Sequence, residues 1–401
     1  MEIETIRSFC NKVEKELFEN IIPFWIKYSQ DNEYGGFYGR VSNDWKVEQE
    51  ASKSIILNTR ILWTFSALYQ FRPKDDFLYM AERAYKYIIN NFLDREMGGV
   101  YWLLDYKGQT IDNRKKIYGQ AFTIYALAEY YAATQNEQSL KYAKDIFSLI
   151  EKHNYDRANT GYFEASNRDW TIAEDLRLST IDMNEKKSMN THLHLMEAYS
   201  TLYRIWNDDK LKSRLTGLIT NLTDRIINPD TWHFILFQDE MWRPKSYHVS
   251  FGHDIEGSWL LCEAAKLLNN QKLLKKIEDI AVKMVDTTLA EGFSKNFTIY
   301  SDRNGKGEIC ESIEWWQQAE AVVGLINAYQ ITQKDHYLTW ALNCWQLIEE
   351  KIVDKKNGEW FFGILPGGRP DHSKCKISEW KGPYHNTRAC MEILNRLGKW
   401  R

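Results

Sequence analysis

Phe77, Met80, Ala81, Ala84, Tyr85, Ile88 and Phe92 recur at spacings of three and four, which predicts an amphipathic helix with one core-facing stripe. Leu57 to Tyr69 and Ala121 to Ala132 also read as helices, but they are apolar around most of their circumference. A helix without a polar face is buried on two sides. Outer amphipathic helices are therefore expected to alternate with inner, enclosed ones. No run of alternating apolar and polar residues is long enough to predict a sheet.

The segments between helices repeat. Asp31-Asn32-Glu33-Tyr34-Gly35-Gly36-Phe37-Tyr38 resembles Asp94-Arg95-Glu96-Met97-Gly98-Gly99-Val100-Tyr101 and Asp156-Arg157-Ala158-Asn159-Thr160-Gly161-Tyr162-Phe163. Gly36 to Gly99 and Gly98 to Gly161 are both 63-residue steps. A degenerate copy, Asp354 to Phe361, has its Gly358 197 residues after Gly161, three periods on. Two drifted copies are expected between them, near Asn228-Pro229-Asp230-Thr231-Trp232 and Asn304-Gly305-Lys306-Gly307. A period of about 60 residues with two helices per period marks a helical repeat array. Six periods give about twelve helices. An open superhelix needs polar capping repeats, and neither end of the chain supplies one. The expected fold is all-α, a closed (α/α)6 barrel in a single domain over residues 1–401. Its inner ring would line a funnel-shaped site. The glycine-aromatic connectors are expected at one end, and the chemistry at the opposite ends of the inner helices.

The stretch Lys187 to His194, running on to Tyr199, reads as a helix start with Asn190 or Thr191 as N-cap. Each helical residue advances about 100°, so His192 and His194 point about 200° apart. They make a poor metal pair, and His194 is the one expected to face a pocket. Similar polar-aromatic stretches follow at Gly252 to Trp259 and Glu379 to Asn386. The polar and aromatic groups expected on inner helices and their leading loops are Arg60, Tyr118, Asp182, Asn190, His194, His253, Glu256, Trp315, Trp316, Trp380 and His385. They come from well-separated regions, as a central funnel requires.

Composition narrows the partners. With 52 Lys plus Arg against 55 Asp plus Glu, the net charge is −3. No long basic run is present, which argues against nucleic acid or an anionic membrane as partner. No segment approaches the roughly 20 apolar residues of a membrane span. The N-terminus lacks a signal-like start. Cys10, Cys262, Cys310, Cys344, Cys375 and Cys390 are scattered, which suggests reduced thiols and a cytoplasmic location. Sixteen tryptophans and 23 tyrosines supply core bulk, and some of them could stack on the apolar C–H faces of sugar rings.

Three histidines and an arginine facing one cavity suit proton transfer beside a carbonyl. An imidazole near its ordinary pKa can remove a proton α to an aldehyde. The enediolate oxygen that develops needs donors or positive charge, which Arg60 and a further histidine can supply. Inverting the carbon takes two bases on opposite faces. His253 and Glu256 are three apart and share a helix face, so Glu256 could orient His253. Neither HExxH nor closely spaced metal ligands occur, and neither GxGxxG nor GxxxxGK[ST], so no metal or nucleotide cofactor is expected.

Leu57 to Ala67, Tyr118 to Phe122, Lys187 to His194, Gly252 to Glu256, Glu314 to Glu320 and Trp380 to Asn386 together resemble the cellobiose 2-epimerases of the N-acylglucosamine 2-epimerase superfamily. The likeness covers nearly the whole chain. It implies reversible, cofactor-independent C2 epimerisation of the reducing-end glucose of β-1,4-linked disaccharides, cellobiose to glucosyl-mannose and lactose to epilactose. The implied route is ring opening, proton removal by a histidine, a cis-enediolate, and C2–C3 rotation that presents its other face to a second histidine. On this resemblance His253 and His385 form the acid/base pair, His194 holds the carbonyl end and Arg60 stabilises the enediolate. Tyr118, Asn190 and Glu256 hold hydroxyls, Asp182 joins the substrate-binding set, and Trp316 or its neighbour Trp315, with Trp380, forms sugar platforms. A monomer or weak homodimer is expected. The rivals are a mannobiose 2-epimerase, an aldose–ketose isomerase on the same barrel, and an (α/α)6 glycosidase.

Overall fold

The computed structural model describes residues 3–398. Six inner helices are α3 (Ile55–Phe71), α5 (Ile117–Thr134), α7 (Met189–Ile205), α9 (Phe251–Leu267), α11 (Trp315–Thr332) and α13 (Tyr384–Leu397). Each packs on the next, and α13 returns to α3, so the ring closes. The outer layer is α1 (Ile3–Lys15) running through a π-helical turn into α2 (Ile22–Tyr28), then α4 (Asp75–Tyr87), α6 (Glu137–His153), α8 (Asp209–Asn221), α10 (Gln271–Glu291) and α12 (Asp335–Leu347). With α1 and α2 taken as one rod, the described residues form twelve helices in six pairs, an (α/α)6 barrel.

The apolar pattern explains the layers. From Ile117 to Tyr130 every residue of α5 is buried, as a helix flanked by two neighbours and an outer layer must be. On α4 the stripe Phe77, Met80, Ala81 and Ala84 is buried, and it continues through Ile88 and Phe92 in a π-helical turn. Tyr85 lies at the edge of the stripe and stacks on Tyr130 of α5, with ring centroids 4.6 Å apart. Strands are confined to pairings two or three residues long, mostly where the chain enters an inner helix. Among the described residues no helix is long and apolar enough to cross a membrane.

The repeated connectors join each outer helix to its inner partner, and each is closed by a single antiparallel bridge. The bridges are Gln30–Phe37, Leu93–Val100, Tyr155–Tyr162, Ile227–Phe234, Phe293–Ile299 and Val353–Trp360. The fourth copy lies where the sequence placed it. The fifth does not: Asn304 to Gly307 is the tip of a hairpin between Asp302–Arg303 and Ile309–Cys310. The glycines there serve an ordinary hairpin turn. The true fifth copy has no glycine and places Phe297 in the left-handed region (φ 63°), as Trp232 is in the fourth (φ 60°).

In four copies a buried lysine ties the connector to the segment leading inward. Lys53 bonds Asp31, Lys115 bonds Asp94, Lys187 bonds Asp156 and Lys376 bonds Asp354, at 2.6–2.9 Å. The other carboxylate oxygen of each aspartate accepts backbone N–H groups two and three residues on, which closes the turn. The connectors and the candidate site residues therefore share one end of the barrel, contrary to expectation. An outer helix ends where its inner partner begins, and the functional side chains sit in the first two turns of the inner helices.

Candidate active site

α7 begins differently from its sequence signals. Ser188, not Asn190 or Thr191, is the N-cap, its Oγ accepting from Thr191 N–H at 3.2 Å. Ser188 is itself gripped by Glu164, which also accepts from the Thr191 hydroxyl. Asn190 is thereby freed to face the cavity. His192 turns outward as predicted: its Nδ1 lies 2.7 Å from Ser188 O, and its Nε2 accepts the Tyr162 N–H at 3.0 Å. Gly161 must stay a glycine, because a Cβ there would meet His192 Nε2 at 2.8 Å and its φ is +77°. The same inner-helix position is Gln120 on α5 and Gln318 on α11, each accepting a connector N–H. His192 is thus a repeat-closing residue.

All eleven groups singled out from the sequence line one funnel of about 730 Å³ at the N-terminal ends of the inner helices. A side cavity of about 240 Å³ adjoins it at Asp182, Asn190 and His253. His253 and His385 both pack against a single indole. Their ring centroids are 4.8 and 5.4 Å from that of Trp316, whose Nε1 is fixed by Glu314 at 2.8 Å. Of the adjacent pair, Trp316 makes these contacts half-exposed, whereas Trp315 is buried against Phe362 and also reaches the cavity. Trp380 leans on Trp102 and Tyr118. Arg60 donates to the Trp380 carbonyl and to the Tyr118 hydroxyl, and its guanidinium lies over Phe122. Asp182 sits on the loop above and caps Ser179 rather than any histidine.

Each histidine is held through Nδ1. His194 Nδ1 is 2.9 Å from Glu197, His385 Nδ1 is 2.7 Å from Glu320, and His253 Nδ1 is 2.7 Å from the Ser250 hydroxyl. A carboxylate only accepts, so the first two bonds put a proton on Nδ1 and leave Nε2 as the nitrogen available to the cavity. Glu256 does not orient His253. Its Oε1 meets Arg388, while its Oε2 is buried without a partner in the funnel wall. The i, i+3 rule was right in kind, but the bonded pair is His194–Glu197.

Burial dominates the electrostatics. It raises Glu256 to about 7, with help from the charge of Glu320 and against Arg388. Burial also tends to raise Glu197, but Arg388 and His194 bring it down to about 2. Desolvation first, then the charges of His194 and Arg60, push His253 down to about 3. Desolvation and Arg60 likewise hold His385 well below the usual imidazole range. Both stand in the first turn of a helix, where the dipole also disfavours an imidazolium. They are therefore neutral imidazoles at pH 7, not the near-neutral titrators expected from sequence. Glu256, Glu320 and His385 bring ligand atoms within 4.8 Å of one another, as a metal site would, but the Arg388 guanidinium already lies between the two carboxylates.

Sequence reasoning missed Glu197, Glu320, Arg388 and Ser250. Glu197 and Arg388 each stand three residues after a chosen histidine, so helical spacing could have found them. Ser250 needed the helix start of α9, and Glu320 needed the ring itself.

A closed ring of helix pairs with imidazoles, a guanidinium and indoles at one mouth is the architecture of a carbohydrate-converting barrel enzyme. A family model for N-acylglucosamine 2-epimerase matches residues 36–389, and the chain belongs to that family. It is 42% identical over 384 residues to a cellobiose 2-epimerase of Bacteroides fragilis, covering 96% of this chain and 98% of the relative. The solved structure of cellobiose 2-epimerase from Bacillus thermoamylovorans superposes with a TM-score of 0.93 at 35% identity, covering 97% of this chain and all of the other. A D-mannose isomerase, at TM-score 0.83 and 20% identity, shares the fold alone. The protein is accordingly an enzyme of the carbohydrate epimerase type.

Proposed function

We propose that the funnel interconverts C2 epimers at the reducing end of β-1,4-linked disaccharides, with cellobiose and lactose as substrates. The observation that carries this reading is the pairing of His253 and His385 about Trp316, with Nδ1 of each tied off. Two neutral imidazoles arriving from different helices can address opposite faces of one carbon. The names of the relatives favour cellobiose over a free monosaccharide.

In this reading the sugar ring opens in the funnel, assisted by His385 or an equivalent group. One imidazole Nε2 takes the C2 proton, the C–H electron pair becomes the C1=C2 bond, and the carbonyl oxygen takes the negative charge. Arg60, already aimed across the funnel by Tyr118 and the Trp380 carbonyl, stabilises that oxygen together with His194. Rotation about C2–C3 turns the other face to the second imidazole, which has taken a proton from solvent at Nε2 and delivers it to C2, while the first imidazole gives the abstracted proton back to solvent. The unpartnered Glu256 Oε2, Asn190, Tyr118 and Asp182 take hydroxyls, and Trp316 and Trp380 take ring faces. No cofactor enters the scheme, and the whole chain acts as one catalytic domain, a monomer or weak homodimer in the cytoplasm.

A panel of cellobiose, lactose, mannobiose, N-acetylglucosamine and free mannose, read by product NMR, tests this. The expected result is glucosyl-mannose from cellobiose and epilactose from lactose. A ketose as main product from any sugar, free glucose from cellobiose, or turnover of mannobiose alone would overturn it.

A further inference from the structure

Arg388 lies beneath the histidines, fully enclosed by the ring, and belongs to none of the groups read from the sequence. Its two terminal nitrogens reach four side chains on three inner helices besides its own. One bonds Glu197 of α7 and the Tyr384 hydroxyl; the other bonds Glu256 of α9 and, at 2.7 Å, Glu320 of α11. Tyr384 in turn donates to Glu197 at 2.6 Å, and the guanidinium lies over the rings of Tyr384 and Trp259 at 4.3 and 4.8 Å. Two of these carboxylates are the very ones that hold His194 and His385.

Three carboxylates around one guanidinium cannot be explained as packing alone. Breaking buried charges out of water is expensive, and such a cluster persists only where every member is paired. Arg388 and Glu197 also line a second cavity, about 560 Å³, at the opposite end of the barrel. The cluster is therefore the floor that separates the funnel from that cavity.

We propose that Arg388 is a positioning residue for the reaction: by holding Glu197, Glu256 and Glu320 around one guanidinium, it fixes the carboxylates that orient His194 and His385 and thereby sets which nitrogen each imidazole presents to the sugar. Without that charge the three carboxylates would repel one another, one would take up a proton, and the Nδ1–H bonds would lose their acceptor. The charged and titratable groups around His385 are Glu320 from α11, Glu256 and His253 from α9, His194 from α7 and Arg60 from α3, with Tyr384 and Arg388 on its own helix. Among the positive charges, Arg60 and Arg388 both act to keep the ring neutral, after burial itself. Removing Arg388 leaves the acidic neighbours less opposed, so His385 should hold a proton to higher pH.

This rests on the funnel being the epimerisation site, yet its test needs no turnover. The ring nitrogens of His385, assigned by loss of its signals in His385→Asn, are followed by 15N NMR against pH in the wild type, Arg388→Lys, Arg388→Met and Glu320→Gln. The wild type is expected to stay neutral with the proton on Nδ1. Arg388→Met should move the His385 titration upward by about one to three units, and Arg388→Lys by less. Glu320→Gln should abolish the preference for the Nδ1–H form without an upward titration shift. If Arg388→Met does not fold, Arg388→Lys and Glu320→Gln carry the comparison. The acidic limb of cellobiose turnover should rise with the titration in the Arg388 variants. Unchanged tautomer and titration in the folded variants would overturn the proposal, whatever their stability. The predicted NMR behaviour in a protein that leaves cellobiose unaltered would instead sink the reading of the funnel and leave Arg388's role standing.

Discussion

Nδ1 of His385 lies 2.7 Å from Oε1 of Glu320, a residue 65 positions earlier on the neighbouring inner helix. The same device joins His194 to Glu197 within one helix, at 2.9 Å. In both, a carboxylate takes up the Nδ1 side of the imidazole, so Nε2 is the ring nitrogen left for the funnel that both histidines line. The packing of α13 against α11 is what makes the first pair possible.

Glu256 should be a source of instability at high pH. Its folded value of about 7 lies above the ordinary 4.5 because burial disfavours its charge. A raised value contributes stability that is complete below the unfolded value and lost as pH rises through the folded one. The loss amounts to on the order of 3 kcal/mol between pH 4.5 and 7. Glu256→Gln should remove that slope, gaining stability relative to the wild type at pH 8 and not at pH 4.5, while slowing turnover. Urea unfolding at the two pH values measures the difference; parallel curves for the two proteins would refute it.

His192 should produce a slope of the opposite sense. Desolvation depresses it to about 4, so the imidazole is neutral when folded and charged when unfolded in acid. Stability is present above about 6.5 and is lost as pH falls towards 4, by about 3 kcal/mol. His192→Gln copies what Gln120 and Gln318 already do at the equivalent positions. It should match the wild type within about 1 kcal/mol at pH 8 and be the more stable of the two at pH 5. Thermal unfolding across that range is the check.

Lys187→Met should cost about 3–5 kcal/mol, because it strands Asp156 in the interior. It also removes donors to the carbonyls of Thr160 and Glu240, each at 2.7 Å. The double variant Lys187→Met, Asp156→Asn should recover part of the loss. Chemical denaturation of the three proteins decides it, and a single variant within 1 kcal/mol of the wild type would show that the connector clamp is dispensable.

The layers were legible from apolar periodicity alone, since enclosed and one-faced helices write different patterns. The 63-residue repeat was legible because glycine and aspartate mark its turns. It faded where Trp232 and Phe297 adopt the left-handed conformation without glycine, and a glycine-rich hairpin at Asn304 to Gly307 drew the assignment away. The eleven lining residues were found because each stands in the opening turns of an inner helix or in a loop above one. Their partners were harder. Ser188 caps α7 from two residues before the expected pair, and Glu164 and Glu320 act from distant segments. Sequence spacing reveals neighbours on one helix, whereas the contacts between helices that hold these histidines appear only once the inner helices are packed side by side.

The central claim is a proton exchanged at C2 by two imidazoles, and deuterium reports it directly. Cellobiose is incubated in heavy water with the wild type, His253→Asn and His385→Asn, and the label is assigned by NMR. The wild type should place one deuterium at C2 of the mannose product. Each single variant should lose epimerisation by about 10²–10⁴-fold, while retaining slow exchange at C2 of one epimer through the remaining base. Label found mainly at C1 of a ketose, an unlabelled mannose product, or undiminished epimerisation in either variant would contradict the account.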